Sequence, residues 1–122
     1  MARGTQLMHD VVQLLVRLVA SPDRVLDVVE GLRAVMRPAQ QARGCSFAGI
    51  LSANDSRRVA YVEDWDDAGE LRGQFGTERF LRLLELLEMA ADPPVVEFRV
   101  VSETHGLEYI SSPLSSEGAG PV

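Results

Sequence analysis

Three residues spaced two apart, Tyr61, Glu63 and Trp65, carry the chemistry most worth following in this chain. At that spacing they share one face of an extended strand. The indole of Trp65 offers a flat surface on which an aromatic ligand can stack, unless it simply fills core at a strand end. The Tyr61 phenol could hydrogen-bond a phenolic ligand, or take its proton if its own acidity were raised; packing on the strand is the plainer role. Glu63 reads either as a partly buried carboxylate available for proton transfer or as an ion-pair partner for Arg17 or Arg99, and the ion pair is the preferred reading. Further along, Phe75, Phe80 and Leu84 fall on helix faces as ordinary core that could double as a pocket wall.

Other reactive types are sparse. His9 and His105 are the only histidines, far apart and without ligand spacing, so no metal site is expected. Cys45 is the only cysteine, which excludes an internal disulfide. With no histidine beside it in any motif, it reads as a small buried residue rather than a nucleophile. There is no Gly-rich phosphate loop, and no cofactor is expected.

A chain of 122 residues, 46% apolar, supports one hydrophobic core. A net charge of −6 repels phosphate backbones and anionic membrane surfaces, so neither nucleic acid nor membrane is expected as a partner. The apolar run Val11 to Val19, broken by Gln13 and Arg17, is far short of the roughly 20 residues that span a bilayer. The expected location is cytoplasmic.

The elements that must position these groups follow from periodicity. After a leader at 1–10, Val12, Leu14, Val16 and Leu18 fill one face of a first strand at Val11–Val19. Ser21-Pro22-Asp23 has the composition of a helix start. Val25, Val29, Leu32, Met36 and Ala39 then form an apolar stripe, with Pro38 expected to kink or end the helix and Gly44 to cap it. Strands at Cys45–Ser52 and Arg58–Trp65 flank an Asn54-Asp55 turn and predict a hairpin. Asp67 with Glu70 has capping-box spacing for a short helix. Thr77 opens a longer one bearing Phe80, Leu83, Leu84, Leu87 and Ala91, stopped by Asp92-Pro93-Pro94. A fourth strand at Val95–Val101 places Val96, Phe98 and Val100 on its dry face. Leu107 to Ile110 predicts a short fifth strand, and the Ser/Gly/Pro-rich tail from 111 to 122 has little to bury.

The order β-α-β-β-α-β predicts an α+β, ferredoxin-like domain over 11–110: an antiparallel sheet with helices on one face. The other face carries Val11, Leu15 and Val19 beside Gln13 and Arg17, and Val95 and Val101 beside Glu97 and Arg99. That mixture suits packing on a second copy of the same sheet, and a homodimer is expected.

Three segments resemble the antibiotic-biosynthesis monooxygenase family. Ala42-Arg43-Gly44-Cys45 is similar to its helix-to-strand junction, with Arg43 where proline is usual. Tyr61-Val62-Glu63-Asp64-Trp65-Asp66-Asp67 is similar to its Glu-x-Trp strand end. The stretch from Glu70-Leu71 through Thr77 to Phe80 resembles its following helix segment. The resemblance implies a dimeric α+β barrel with a pocket between helices and sheet. It also implies oxidation of quinol-like or polyphenolic substrates by dioxygen without a cofactor. Two histidines common in the family are replaced here by Gln74 and Arg79. Gln74 is left to donate a hydrogen bond into the pocket. The expected function is therefore a cofactor-independent monooxygenase acting on a small aromatic, with Tyr61, Trp65 and Gln74 at the reacting centre and Glu63, Phe75, Phe80 and Leu84 around the substrate. The alternative is a non-catalytic ligand-binding or structural dimer of the same fold.

Overall fold

A computed structural model of the chain describes residues 11–53 and 56–111. The leader, the Asn54-Asp55 turn and the tail from 112 lie outside the described residues. The elements run β1 (Val11–Val19), α1 (Val25–Gln41), β2 (Cys45–Ser52), β3 (Arg58–Trp65), α2 (Ala68–Arg72), α3 (Glu78–Leu87) and β4 (Val95–Val101), followed by a 3-10 turn at Leu107–Ser111. The sheet is wholly antiparallel, in the order β2-β3-β1-β4. This is the expected ferredoxin-like α+β plan.

Strand alternation sets the core. Val12, Leu14, Val16 and Leu18 stand opposite Trp65, Glu63, Tyr61 and Val59 of β3, and all eight are buried on the helix side. Val28, Leu32, Val35 and Ala39 of α1 and Phe80, Leu83 and Leu86 of α3 close over them. The buried stripe of α1 is therefore rotated from the expected one: Val25, Val29 and Met36 are only partly covered. A valine-rich helix offers two adjacent apolar stripes, and packing against both sheet and α3 selects between them. On α3 the same effect buries Leu86 and leaves Leu84 53% exposed.

The ends of the elements differ from expectation where local bonding wins. Ser21 does not cap α1. Its carbonyl accepts from the Arg24 amide at 2.9 Å in a preceding turn, and the helix begins at Val25 without a side-chain cap. Pro38 does not end α1, which runs on to Gln41. Proline brings no N–H to the Ala34 carbonyl and loosens that turn. The neighbouring Val35 carbonyl accepts from the Arg79 guanidinium at 3.2 Å. Gly44 adopts φ +88°, the left-handed region, where the chain reverses into β2, and its carbonyl takes the Asp66 amide at 2.7 Å. Asp67 caps α2 as expected, accepting from the amides of Gly69 and Glu70. Thr77 precedes α3 but donates its hydroxyl backward to the Gln74 carbonyl at 2.7 Å. The expected fifth strand is instead the 3-10 turn. Glu108 takes the Gly106 amide, and the Tyr109 amide returns to the Gly106 carbonyl, which closes the segment on itself.

β4 departs most. Val96, Phe98 and Val100 do point to the helix side, opposite Val16, Leu14 and Val12. Yet they are 41%, 47% and 65% exposed. The reason is lateral: α1 packs over β2 and β3, and α2 over β1 and β3, so β4 projects beyond the helical roof.

Candidate functional site

Glu63 sits in the middle of β3 with no exposed surface, held by donors on three sides. Strand alternation places Tyr61 and Trp65 on either side of it, on the same face. The Tyr61 hydroxyl donates to Oε2, and the Trp65 indole N–H donates to Oε1 at 2.8 Å. From α3, Arg79 donates Nη1 to Oε2 and Nη2 to Oε1, the latter at 3.4 Å. The same guanidinium donates Nε to the Gln74 side-chain oxygen at 3.0 Å and lies 5.1 Å from the centre of the Phe80 ring, within cation–π range. The Arg79 side chain is only 7% exposed. A carboxylate in this position would be costly without a counter-ion, and Arg79 supplies it together with the hydrogen bonds that a charge needs when taken from water.

The ion pair expected for Glu63 is thus real, but its partner is Arg79 and not Arg17 or Arg99. Those two lie on the opposite face of the sheet. There Glu97 accepts from Arg99 at 2.8 and 3.1 Å and meets Arg17 at 3.9 Å. Parity along β1 already separates the groups: Arg17 stands opposite Ala60, while Glu63 shares its side with Leu14. Sequence reasoning did not place Arg79 here, because nothing local marks which residue of a later helix will turn toward a strand.

The network changes what each side chain can do. Burial, the negative charge of Glu63 and the hydrogen bond between them push Tyr61 well above the ordinary phenol range. It is a donor and not a proton acceptor. Glu63 already accepts from Tyr61, Trp65 and Arg79. Gln74 accepts from Arg79 through its side-chain oxygen. Trp65 and Tyr61 have no exposed surface, so neither presents a ring face to a ligand within one protomer. Burial also pushes the Cys45 thiol up, and its Sγ approaches the Phe47 carbonyl at 3.3 Å, which suits a resting thiol.

Accessible apolar surface lies one layer outward. Phe75, in the link between α2 and α3, packs its ring on Phe80 at 5.2 Å and edge-on to Phe98 of β4 at 5.7 Å. Phe75 is 45% exposed, and Leu84 follows Phe80 by one turn of α3. Val96 and Val100 of β4 are exposed on the same side of the sheet as Phe98, so Phe75, Phe98 and these valines form a solvent-exposed apolar strip, the trough, with Phe80 buried behind it. The structure brings Phe75 and Phe80 together, with Phe75 in the link after α2 and not on a helix face. It adds Phe98, which alternation alone assigned to the dry core.

Among the described residues, no group of histidine, cysteine, aspartate or glutamate side chains is arranged to hold a metal ion. No helix among them is long and apolar enough to cross a membrane.

No family model matches the chain, and no curated protein matches it. Solved structures do. A conserved protein from Methanosarcina mazei is 15% identical, with a TM-score of 0.67 over 80% of this chain and 98% of its own. A conserved protein of unknown function from Bacteroides thetaiotaomicron, described as a possible oxidoreductase, is 16% identical, with a TM-score of 0.67 over 75% of this chain and 98% of its own. A structure named antibiotic biosynthesis monooxygenase is 15% identical, with a TM-score of 0.64 over 78% of this chain and 99% of its own. The chain therefore has the fold of these structures over nearly all of their length and about three quarters or more of its own.

Proposed function

We propose that this chain is a member of the antibiotic-biosynthesis monooxygenase family that binds a small, flat, electron-rich aromatic in the trough of Phe75, Phe80 and Phe98. It oxidises that molecule with dioxygen and no cofactor. The observation that carries the reading is the aromatic trio itself, Phe75 and Phe98 about half exposed and Phe80 buried behind them, in a fold also found in a structure named for this activity. Three phenyl rings within stacking distance suit a polyphenol or quinol-like ring system. For an anthrone-like substrate the reaction balances without outside electrons. The ring CH2 loses two hydrogens and gains one oxygen as a carbonyl, and the second oxygen atom leaves as water.

The protein's part is to bind, orient and shield. Tyr61, Glu63, Trp65, Gln74 and Arg79 act behind the trough. They pin α3 to β3 and hold Phe80 against Phe75. None of them is placed to remove a substrate proton, so the substrate ionises on its own acidity. A homodimer completes this reading. The outer face presents Phe47 and Leu51, 55% and 64% exposed, beside Leu15, Val19 and Val62, and suits a second copy of itself.

The non-catalytic reading keeps a specific observation in its favour: Gln74 and Arg79 stand where a base would serve, and Arg79 is committed to Glu63. One experiment separates the two. Purified protein is offered anthrone-like and quinol substrates while oxygen uptake and product mass are followed. Turnover above the uncatalysed rate, lost in Phe98→Ser and Phe75→Ala, supports the enzyme. Ligand-dependent change in the fluorescence of Trp65 without turnover supports the binder. Neither signal would end both readings.

A further inference from the structure

β4 ends the sheet on one side and β2 on the other, and the two edges are built differently. β2 is interrupted: its register shifts between Cys45 and Phe47, an irregularity that spoils a straight ladder and guards an edge. β4 is regular. It runs against β1 without a break from Val101 opposite Val11 to Val95 opposite Arg17. No proline falls within Val95–Val101, and among the described residues no strand pairs with its outer edge. Every second residue there turns its N–H and C=O away from β1, toward the open side. The helical roof stops short of this strand, as the exposure of Val96, Phe98 and Val100 shows.

The sequence of this strand complements itself. Val95-Val96-Glu97-Phe98-Arg99-Val100-Val101 is symmetric about Phe98 in its apolar positions and opposite in sign at its two charged ones. Laid antiparallel against a second copy, about a two-fold axis at Phe98, it sets Val96 opposite the partner's Val100 and Phe98 opposite the partner's Phe98 on the helix side. On the other side Glu97 meets the partner's Arg99, and Val95 meets the partner's Val101. Aromatic and opposite-charge pairs across antiparallel strands are stabilising, and like charges there are destabilising. The register is thereby specified: moving the axis to residue 97 or 99 would set two glutamates or two arginines face to face. The pairing also extends a contact already present. Glu97 accepts from Arg99 of its own strand at 2.8 Å, so two such pairs would meet as four alternating charges.

We infer that β4 pairs edge to edge with β4 of a second copy, antiparallel and centred on Phe98, so that two four-stranded sheets join into one continuous sheet. This contact is distinct from the face packing of Leu15, Phe47 and Leu51, and it uses backbone groups that face packing leaves open. It brings the partner's Phe98 alongside Phe98 and carries the exposed apolar strip across the two-fold axis. It does not depend on what the strip binds.

Single cysteines placed in the full chain carrying Cys45→Ser, oxidised mildly and scored for covalent dimer, read the register. Residues directly opposite lie about 5 Å apart, within disulfide reach, whereas residue 96 and the partner's Val96 are offset by four positions, about 13 Å. Phe98→Cys is therefore expected to cross-link at least about ten-fold faster than Val96→Cys. Val96→Cys and Val100→Cys are each slow alone and fast when mixed, in a pair that keeps Phe98. Charge gives a second readout. Glu97→Arg and Arg99→Glu each lower the mass measured by sedimentation, and mixing the two variants restores it, since each charge then meets its opposite. Glu97 and Arg99 also lie on the face offered to a second copy, and the cysteine pattern is what separates edge from face. Equal rates for Phe98→Cys and Val96→Cys overturn the inference, as do Val96→Cys and Val100→Cys that react no faster mixed than alone. So does cross-linking of Phe98→Cys that begins only once residues 1–10 or 112–122 are removed, because a segment of the same chain then fills the edge.

Discussion

Replacing Arg79 by methionine removes the counter-ion of a fully buried carboxylate while keeping most of the side chain's apolar bulk. The substitution deletes two contacts to Glu63, one to Gln74 and one to the Val35 carbonyl. Breaking a buried pair from one side costs about 3–5 kcal/mol, because the remaining charge stays out of water without compensation. Domains of this size have about 5–15 kcal/mol in total, so Arg79→Met is expected to approach the edge of stability. Glu63→Gln keeps the shape of the side chain and one acceptor for Tyr61 or Trp65. Combined with Arg79→Met it leaves no buried charge, and the double variant is expected to be more stable than Arg79→Met alone by about 1–3 kcal/mol. Urea titrations followed by the single tryptophan, Trp65, and by circular dichroism give all four corners of the cycle, with unchanged slope showing that the unfolded reference has not moved. A cost below about 1 kcal/mol for Arg79→Met, with the double variant at the sum of the singles, would refute the view that a charge is buried at Glu63.

Three further outcomes follow from the same geometry. Tyr61 is pushed up in the folded chain, so the folded state holds its proton more tightly than the unfolded state. The stability this gives is complete below the unfolded phenol value near 10 and is lost as pH rises above it. Unfolding midpoints should fall above about pH 10 in the parent protein and fall less in Tyr61→Phe; identical profiles would remove the linkage. Gly44→Ala places a methyl at φ +88° and 3.0 Å from the Glu70 Cβ, and is expected to cost about 1–2 kcal/mol, read as a drop in melting temperature. A change within error would mean that the junction relaxes. Phe98→Ser acts on a ring that is 47% exposed; it should cost less than about 1 kcal/mol in stability while lowering affinity for an aromatic trough ligand at least about ten-fold. Loss of both together would make Phe98 a core residue and no ligand wall.

The sequence made β3 legible because alternation has no phase ambiguity once one face is apolar: Val59, Tyr61, Glu63 and Trp65 fall on the helix side in the structure as the period of two requires. Helix phase was less legible. Val25, Val28, Val29, Leu32, Val35 and Met36 satisfy two stripes about equally, and the choice belongs to the partners of the helix. For Arg79 the difficulty was distance along the chain: it reaches Glu63 across 16 residues and two element boundaries. The exposure of Val96, Phe98 and Val100 was hidden for a third reason. Period marks which way a strand faces and carries no information about how far a helical roof extends, so an apolar face on an edge strand looks the same whether it is covered or open.

The buried pair and the open trough are linked through two adjacent residues of α3. Arg79 is fixed by Glu63 from β3, and Phe80, the next residue, meets Phe75, whose ring in turn meets Phe98 on β4. The ionic contact therefore sets how Phe80 and Phe75 stand against β4. A hydrophobic pair at positions 63 and 79 could hold the layers together, and in other proteins such replacements are often neutral or stabilising. It would not fix the rotation of α3 as a guanidinium does when it bonds two carboxylate oxygens, the Gln74 side chain and the Val35 carbonyl at once. A polar network of this kind is worth its desolvation where orientation matters more than cohesion. Here the orientation it controls is that of the aromatic wall.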